Sequence, residues 1–442
     1  MTLRPSAFAT QPPEVAWRPT VAYFRTAVGA VVLGACAVIW TRPDLLVLAT
    51  PLAVLAAWSL LTRPSSSPVF HDRLGHGTIR EGDATRWQAT LEGVDELDLA
   101  VAVVERAPWV DLRPGGGVFT AAAVDGSARL EVVLRSTRWG VRPVEPINVV
   151  AVTPWAAFRW ATTTSAYSLT TLPLPAVFDV AASSRPSDGL VGVHRSTRSG
   201  EGNEFAGVRP FRAGDRMRRI NWMRSVRAGE LQVNSTWADL DTHIALLIDA
   251  TEDFGVSEGV DGLASSLDAT VRAAGAIAEH YALRGERVSL RVIGTTVPHQ
   301  VPPGSGRPQL RRILDTLARV RPADVARVGS PTPIWRRRGV IGGEITVMLS
   351  PLISPDALDL AVSLGRQGMA VIVVDTLTDH ITHDEDQFIA MAWRIRLLER
   401  RRELRMVLGA GIPVIRWRGP GSLDQVIRDI AHRSTGPRML RR

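Results

Sequence analysis

Two apolar runs lie four residues apart near the start of this 442-residue chain, and they constrain its folding more than any other feature. Residues 21–40 carry one charge, Arg25, near their start, and residues 45–61 carry none, although Pro51 interrupts them. About 20 apolar residues in helical form cross the hydrocarbon core of a bilayer. The pair therefore reads as a transmembrane helical hairpin over 21–62, turned by Thr41-Arg42-Pro43-Asp44. Proline is tolerated in such helices. Trp17, Tyr23, Trp40 and Trp58 stand near the ends, where amphipathic rings favour the membrane–water interface. Arg4, Arg18 and Arg25 at the entry of the hairpin, and Arg63, Arg73 and Arg80 after its exit, outweigh the single Arg42 of its loop. The positive-inside bias then puts residues 1–20 and the soluble domains in the cytoplasm of a multi-pass plasma-membrane protein. Three other readings stay open. A signal peptide has a shorter apolar region and no second run at once behind it. Leu33-Gly34-Ala35-Cys36 resembles a lipoprotein cleavage box, but apolar residues continue past Cys36. The third is a buried hairpin in a soluble protein.

Beyond residue 62 the composition is that of a folded chain. Apolar residues make up 45% and charged residues 22% of the sequence, which excludes wholesale disorder. The length predicts two or three folded units. With one cysteine, Cys36, neither an intrachain disulfide nor a Cys-rich zinc site can form. All 52 basic residues are arginine, so a Gly-x-x-x-x-Gly-Lys phosphate loop is excluded. The net charge of +8 favours anionic partners.

Residues 62–68, with three serines and two prolines, read as a linker. Residues 69–177 hold short alternating segments, among them 86–91, 97–104 and 130–134, separated by Gly/Pro turns such as Arg113-Pro114-Gly115-Gly116-Gly117. Period-2 runs at this spacing predict a β-sandwich domain. Residues 178–236 are polar and rich in Arg and Gly, too long for a plain connection. Residues 237–434 alternate strand with helix. Strands are predicted at 244–248, 288–293, 345–349, 369–374 and 414–417, and helices at 263–283, 309–320, 355–364, 388–408 and 423–431. The fold class is therefore α/β, with a parallel sheet covered on both faces. Ligands of such sheets sit at the carboxyl ends of the strands, where Asp249, Ser350 and Asp375 fall.

The most distinctive string is Gly202-Asn203-Glu204-Phe205, then Val208-Arg209-Pro210-Phe211, Gly214-Asp215, Arg219-Ile220-Asn221-Trp222 and Ser225-Val226-Arg227. Its acids lie among Arg209, Arg212, Arg216, Arg218, Arg219, Arg224 and Arg227. One reading is a fastening of ion pairs, with Phe205 and Trp222 as apolar pegs. The other is a docking surface, since Arg and Trp anchor interfaces. Nucleic acid is not expected, because no nucleic-acid fold signature accompanies the arginines.

This string resembles the signature of the domain-of-unknown-function 58 family, departing visibly only at Val226, where that family usually has Ala. The resemblance runs over the whole chain. It implies a membrane hairpin, a β-sandwich, the motif segment and a von Willebrand A-like (Rossmann-like) α/β domain in that order. Trp139-Gly140-Val141-Arg142-Pro143 and an altered turn over 152–158 look like the family's sandwich end. The resemblance also implies a partner, a MoxR-type AAA+ ATPase, and a non-enzymatic adaptor role in the assembly or maturation of other proteins. On that basis Glu204, Phe205, Arg209, Phe211, Asp215, Arg219, Trp222 and Arg227 are the candidate partner-binding residues.

Von Willebrand A domains often hold Mg²⁺ through Asp-x-Ser-x-Ser after the first strand, which suits a hard cation's demand for oxygen ligands. The matching residues here are Asp249, Thr251 and Asp253, with Ser350 on a later loop followed by Pro351 instead of an acid. Such a site is degenerate, and a cap for the following turn is the competing role of Asp249. An Mg²⁺-dependent ligand-binding or adhesion-like module is thus the alternative function. His380 and His383 with Asp384 and Asp386 read as a solvated loop and helix start, and Gly304-Ser305-Gly306 as a turn. No nucleophile–base constellation is visible, so an enzyme is not expected.

Overall fold

A computed structural model describes residues 16–174, 195–212, 215–239, 243–295, 299–322, 345–381 and 387–418, with the side chains of 195–206 and 236–239 outside the description. The protein is of mixed α/β class. It divides into two compact units, Met1–Leu172 with Gly259–Asp261, and Pro173–Glu258 with Gly262–Arg442.

The first unit begins with helices α1 (Val21–Ile39) and α2 (Asp44–Leu61), each long and apolar enough to cross a membrane. Thr20 caps α1 by accepting from the Tyr23 amide. Gly29 lets Leu52 of α2 come close to α1. Only Ala37 of α1, and Ala49 and Ser59 of α2, are buried. Two helices of Val, Leu and Ala with nearly all of that surface uncovered by protein suit a hydrocarbon solvent rather than water. The base of α1 is tied to the β structure that follows. The Thr20 amide donates to the Ala157 carbonyl at 2.9 Å, and the Tyr23 ring lies 5.4 Å from that of Phe158.

Three sheets make up the rest of this unit. The five-stranded sheet runs Arg18–Pro19, Phe158–Thr163, Asn148–Val152, Leu99–Val103, Val118–Ala122. The four-stranded sheet runs Val69–Leu74, Ala84–Glu92, Ala128–Ser136, Val110–Arg113. In the three-stranded sheet Tyr167–Leu172 is central, parallel to Thr78–Arg80 and antiparallel to Gly140–Val144. Alternation decides which side chains go inward: Trp87, Ala89 and Leu91 are buried while Arg86, Gln88 and Thr90 are more exposed. One apolar core takes Trp87 and Leu130 from the four-stranded sheet, Val149 and Trp160 from the five-stranded sheet, and Val144 and Leu169 from the three-stranded sheet.

In the second unit, Arg195–Pro210 and Gln232–Asp239 form an antiparallel ribbon with register shifts. Sequence reading gave only a polar segment there. Its arginines and glycines hide the period-2 signal, and the pairing is irregular even so. The chain between the two strands forms a 3₁₀ turn at Met217–Arg219 and helix α3 (Trp222–Ala228).

The main sheet has strands β1 (His243–Asp249), β2 (Arg287–Ile293), β3 (Gln300–Gly304), β4 (Ile345–Ser350), β5 (Ala370–Asp375) and β6 (Val414–Arg416). Their order is β3-β2-β1-β4-β5-β6, all neighbours parallel except β2 with β3. Sequence reading missed β3 because Pro302 and Pro303 lie within it. An edge strand tolerates proline, since its outer N–H groups need no partner. The helices are α4 (Ser266–Leu283), α5 (Gly306–Leu317), α6 (Pro355–Arg366) and α7 (Gln387–Gly409). A Ser265/Asp268 capping box starts α4. The expected helix over 423–431, and His383, Asp384 and Asp386, lie outside the described residues. The order of the sheet reverses between β1 and β4, and at such a point a cleft opens beyond the carboxyl ends of the strands.

Candidate functional site

Two places bring the sequence candidates together. The first is the carboxyl edge of β1, β4 and β5. Asp249 ends β1 almost fully buried. Its Oδ1 accepts from the Thr251 amide at 3.0 Å and the Thr251 hydroxyl at 2.7 Å, and its Oδ2 accepts from the Ser350 hydroxyl at 2.6 Å. Ser350 Oγ in turn accepts from the Leu352 amide at 2.9 Å. Gly294, at φ +79°, packs onto this turn so closely that a Cβ would stand 2.3 Å from the Thr251 nitrogen. Three of the four suggested metal ligands, Asp249, Thr251 and Ser350, are therefore neighbours.

Asp253 is not among them. Its Oδ1 accepts from the Leu267 amide at 3.0 Å and its Oδ2 from the Ser265 hydroxyl at 3.1 Å, so it serves the start of α4. A negative charge at a helix N-terminus is stabilising. The remaining set of one carboxyl and two hydroxyls is poor for a hard dication, which takes six or more oxygens with several charged. No group of three His, Cys, Asp or Glu suited to a metal occurs among the described residues. The residues present thus do not fit Mg²⁺ well.

The positive charge at this edge comes from the protein. Arg400 of α7 is buried, and its Nη2 lies 2.5 Å from Asp375 Oδ1 at the end of β5. Its Nε donates to the carbonyls of Pro351 at 3.0 Å and Leu352 at 3.2 Å. Asp375 Oδ1 also accepts from the Leu377 amide at 3.0 Å. Leu352 holds a left-handed φ of +53°, a conformation that costs a non-glycine residue free energy. Its amide and carbonyl bonds to Ser350 and Arg400 hold it there. Sequence reading placed Asp375 at this edge but overlooked Arg400. The clue is an Arg within the inward heptad of α7, with Trp393, Leu397, Leu404 and Val407.

The second place is the tip of the ribbon. The Arg209 guanidinium grips Asp215 with two bonds, 2.7 and 2.6 Å, and the Arg212 amide donates to the same carboxyl at 2.8 Å. The Arg209 pairing, followed by the Arg212 amide, holds the Asp215 carboxyl below its usual range. Asn221 caps α3 by accepting from the Arg224 amide at 3.1 Å, and its side-chain amide donates to Asn234 Oδ1 at 3.0 Å. The buried Ser225 hydroxyl donates to the Asn221 carbonyl and accepts from the Gln232 amide, both at 2.8 Å. Gly229, left-handed at φ 72°, ends the helix. The motif's polar residues thus fasten α3 to the ribbon, and its apolar residues are left outside. Trp222 is 64%, Met223 73%, Val226 81% and Met217 78% exposed. Arg218, Arg224 and Arg227 are exposed beside them. Phe211 and Arg219 are half-buried. Glu204 and Phe205 sit in the ribbon strand, their side chains outside the description. Sequence reading missed Met217, Met223 and Val226, because a lone Met or Val in a polar segment carries no signal until the helix turns it outward.

Residues 207–387 match the family described as "Protein of unknown function DUF58". Over this part the chain is similar to DUF58 proteins. The match covers the ribbon tip and the sheet edge through β5. Three uncharacterized proteins, one of Mycobacterium bovis and two of Mycobacterium tuberculosis, are each 26% identical over 193 residues, which is 43% of this chain and 52% of the relative. The chain thus spans about half the length of the curated relatives it matches. A solved structure described as "AvmM Catalyzes Macrocyclization in Alchivemycin A Biosynthesis" overlaps 24% of this chain and 91% of its own, at 11% identity and a TM-score of 0.16. A similarity that low carries no argument about function.

Proposed function

We propose that this chain is a non-enzymatic, membrane-anchored interaction protein whose ribbon tip docks a partner ATPase. The observation that carries the reading is the α3 face, where Trp222, Met223 and Val226 stand out in water with Arg224 and Arg227, while Asn221 and Ser225 hold the helix in place. Tryptophan and arginine on a rigid support are what a docking surface needs. The DUF58 resemblance suggests a MoxR-type AAA+ ATPase as the partner, and assembly or maturation of other proteins as the task.

Three readings go with it. The order β3-β2-β1-β4-β5-β6 with an antiparallel edge strand supports a von Willebrand A-like domain. A single core fed by facing antiparallel sheets supports a β-sandwich before it. The helices α1 and α2, with arginines on both flanks, support a multi-pass plasma-membrane protein with its soluble parts in the cytoplasm.

The test is co-purification of the full chain, solubilised in detergent, with an AAA+ ATPase from the same cells. The triple variant Trp222→Ala/Arg224→Glu/Arg227→Glu changes only exposed side chains, so its melting profile should match the wild type's. Loss of the ATPase from this variant supports the docking face. Equal recovery places the contact elsewhere, and an absence of ATPase from the wild-type eluate removes the partner assignment.

A further inference from the structure

Helix α7 has two apolar stripes, and the fold uses one. The inward stripe, Trp393, Leu397, Arg400, Leu404 and Val407, follows the 3-4 spacing of a packed helix face. Trp393 lies 5.7 Å from the Phe254 ring and Leu397 packs against the cluster of Ile353, Leu377 and Ile381. Leu404 and Val407 join the core under β5. The second stripe repeats the same spacing about half a turn away: Phe388, Met391, Ile395, Leu398, then Arg402 and Arg405. All six are exposed, Ile395 at 52% and Leu398 at 62%. Four large apolar side chains in one line, on a helix already held by its other face, form more apolar surface than isolated exposed residues account for.

Among the described residues, arginines predominate beside this stripe. Arg394, Arg401, Arg402 and Arg405 are exposed along it. Glu399, the acid beside it among the described residues, is engaged by Arg396 at 3.4 Å, and Asp384, Glu385 and Asp386 before the helix lie outside the described residues. An acidic protein groove and an anionic lipid surface both complement such a face. The lipid surface is favoured by two features. The apolar line lacks the cross-helix polar partners that fix register between proteins, and arginine stems can lie along a headgroup layer with their guanidiniums on phosphates. A chain anchored by α1 and α2 also keeps a bilayer at high effective concentration.

We propose that the outward stripe of α7 lies on the surface of an anionic bilayer, with Phe388, Met391, Ile395 and Leu398 in the headgroup–acyl boundary and the four arginines on lipid phosphates. The proposal rests on the membrane-anchored reading, and the experiment separates the two. The full-length chain carrying Cys36→Ala and Leu398→Cys is labelled at residue 398 with an environment-sensitive fluorophore and reconstituted into vesicles of neutral phosphatidylcholine, or of phosphatidylcholine with phosphatidylglycerol. Flotation with both vesicle types reports the anchor alone. The expected result is blue-shifted emission at residue 398 only with phosphatidylglycerol. Brominated lipid should quench it, and high salt or Arg401→Glu/Arg402→Glu/Arg405→Glu should reverse it. Water-like emission in floated vesicles overturns the proposal with the anchor intact. A blue shift that ignores lipid charge, or one that appears in detergent and grows with protein concentration, overturns it in favour of a simple apolar contact or a second copy. Met391→Cys, labelled in the same way, guards against a local effect at Leu398.

Discussion

At the scale of single residues, the sheet edge depends on paired charges and close contacts that single substitutions disrupt. Arg400 and Asp375 are buried partners, and removing one leaves the other an unpaired charge away from water. Such a loss costs about 3–5 kcal/mol, whereas replacing both members with apolar residues is far milder. Arg400→Leu should therefore lower the melting temperature sharply, and Arg400→Leu/Asp375→Leu should recover most of it. Additive losses in the double variant would show that the two do not act as a pair. Gly294 is bound as tightly for a different reason. At φ +79° an alanine is strained, and its Cβ would meet the Thr251 nitrogen at 2.3 Å. Gly294→Ala should cost about 1–3 kcal/mol and break up the Asp249 turn. An unchanged melting curve would mean the turn is softer than this packing implies.

At the scale of elements, α4 carries a pH response. Burial first, and then the Arg284 charge, depress His280 from its ordinary value to about 4. Arg284 donates to its Nδ1 at 2.8 Å, which requires that nitrogen to be unprotonated. Between about pH 6.5 and 4 the unfolded chain takes up a proton that folded His280 refuses. Stability should therefore fall as pH drops through that window and be insensitive to this residue above it. Comparing wild type with His280→Gln isolates the effect, and parallel pH profiles would refute it. The elements themselves were largely legible: the strands at Ile244 and Val371 are continuous apolar runs, those at Val288 and Ile345 are mostly apolar, and the helices between them repeat every three or four residues. What escaped had no periodic signal. The ribbon is written in Arg, Ser and Gly, and β3 contains two prolines. Of the site residues, Asp249 and Ser350 were visible because they end apolar strands. Asp253 serves the cap of α4, a role that spacing alone cannot tell from that of a metal ligand, and Arg400 was hidden among six arginines in one helix.

At the scale of the whole molecule, the proposed crossing of a membrane by both helices has one simple consequence. An even number of crossings returns the chain to the side from which it started. The N-terminal arginines and everything after residue 62 then share one face of the membrane. On the proposed reading that face is the cytoplasmic one, since Arg42 is the one basic residue of the turn and the positive-inside bias favours the flanks. Protease added to intact cells should leave both units whole, and protease added to inverted vesicles should cut both. This outcome also constrains function, because an ATP-driven partner can reach the α3 face only from the cytoplasm. If cleavage occurs from outside instead, the ATPase cannot be the partner. The exposed Trp222 face and the arginine stripe of α7 would then have to meet envelope components, and the adhesion-like reading would replace the adaptor.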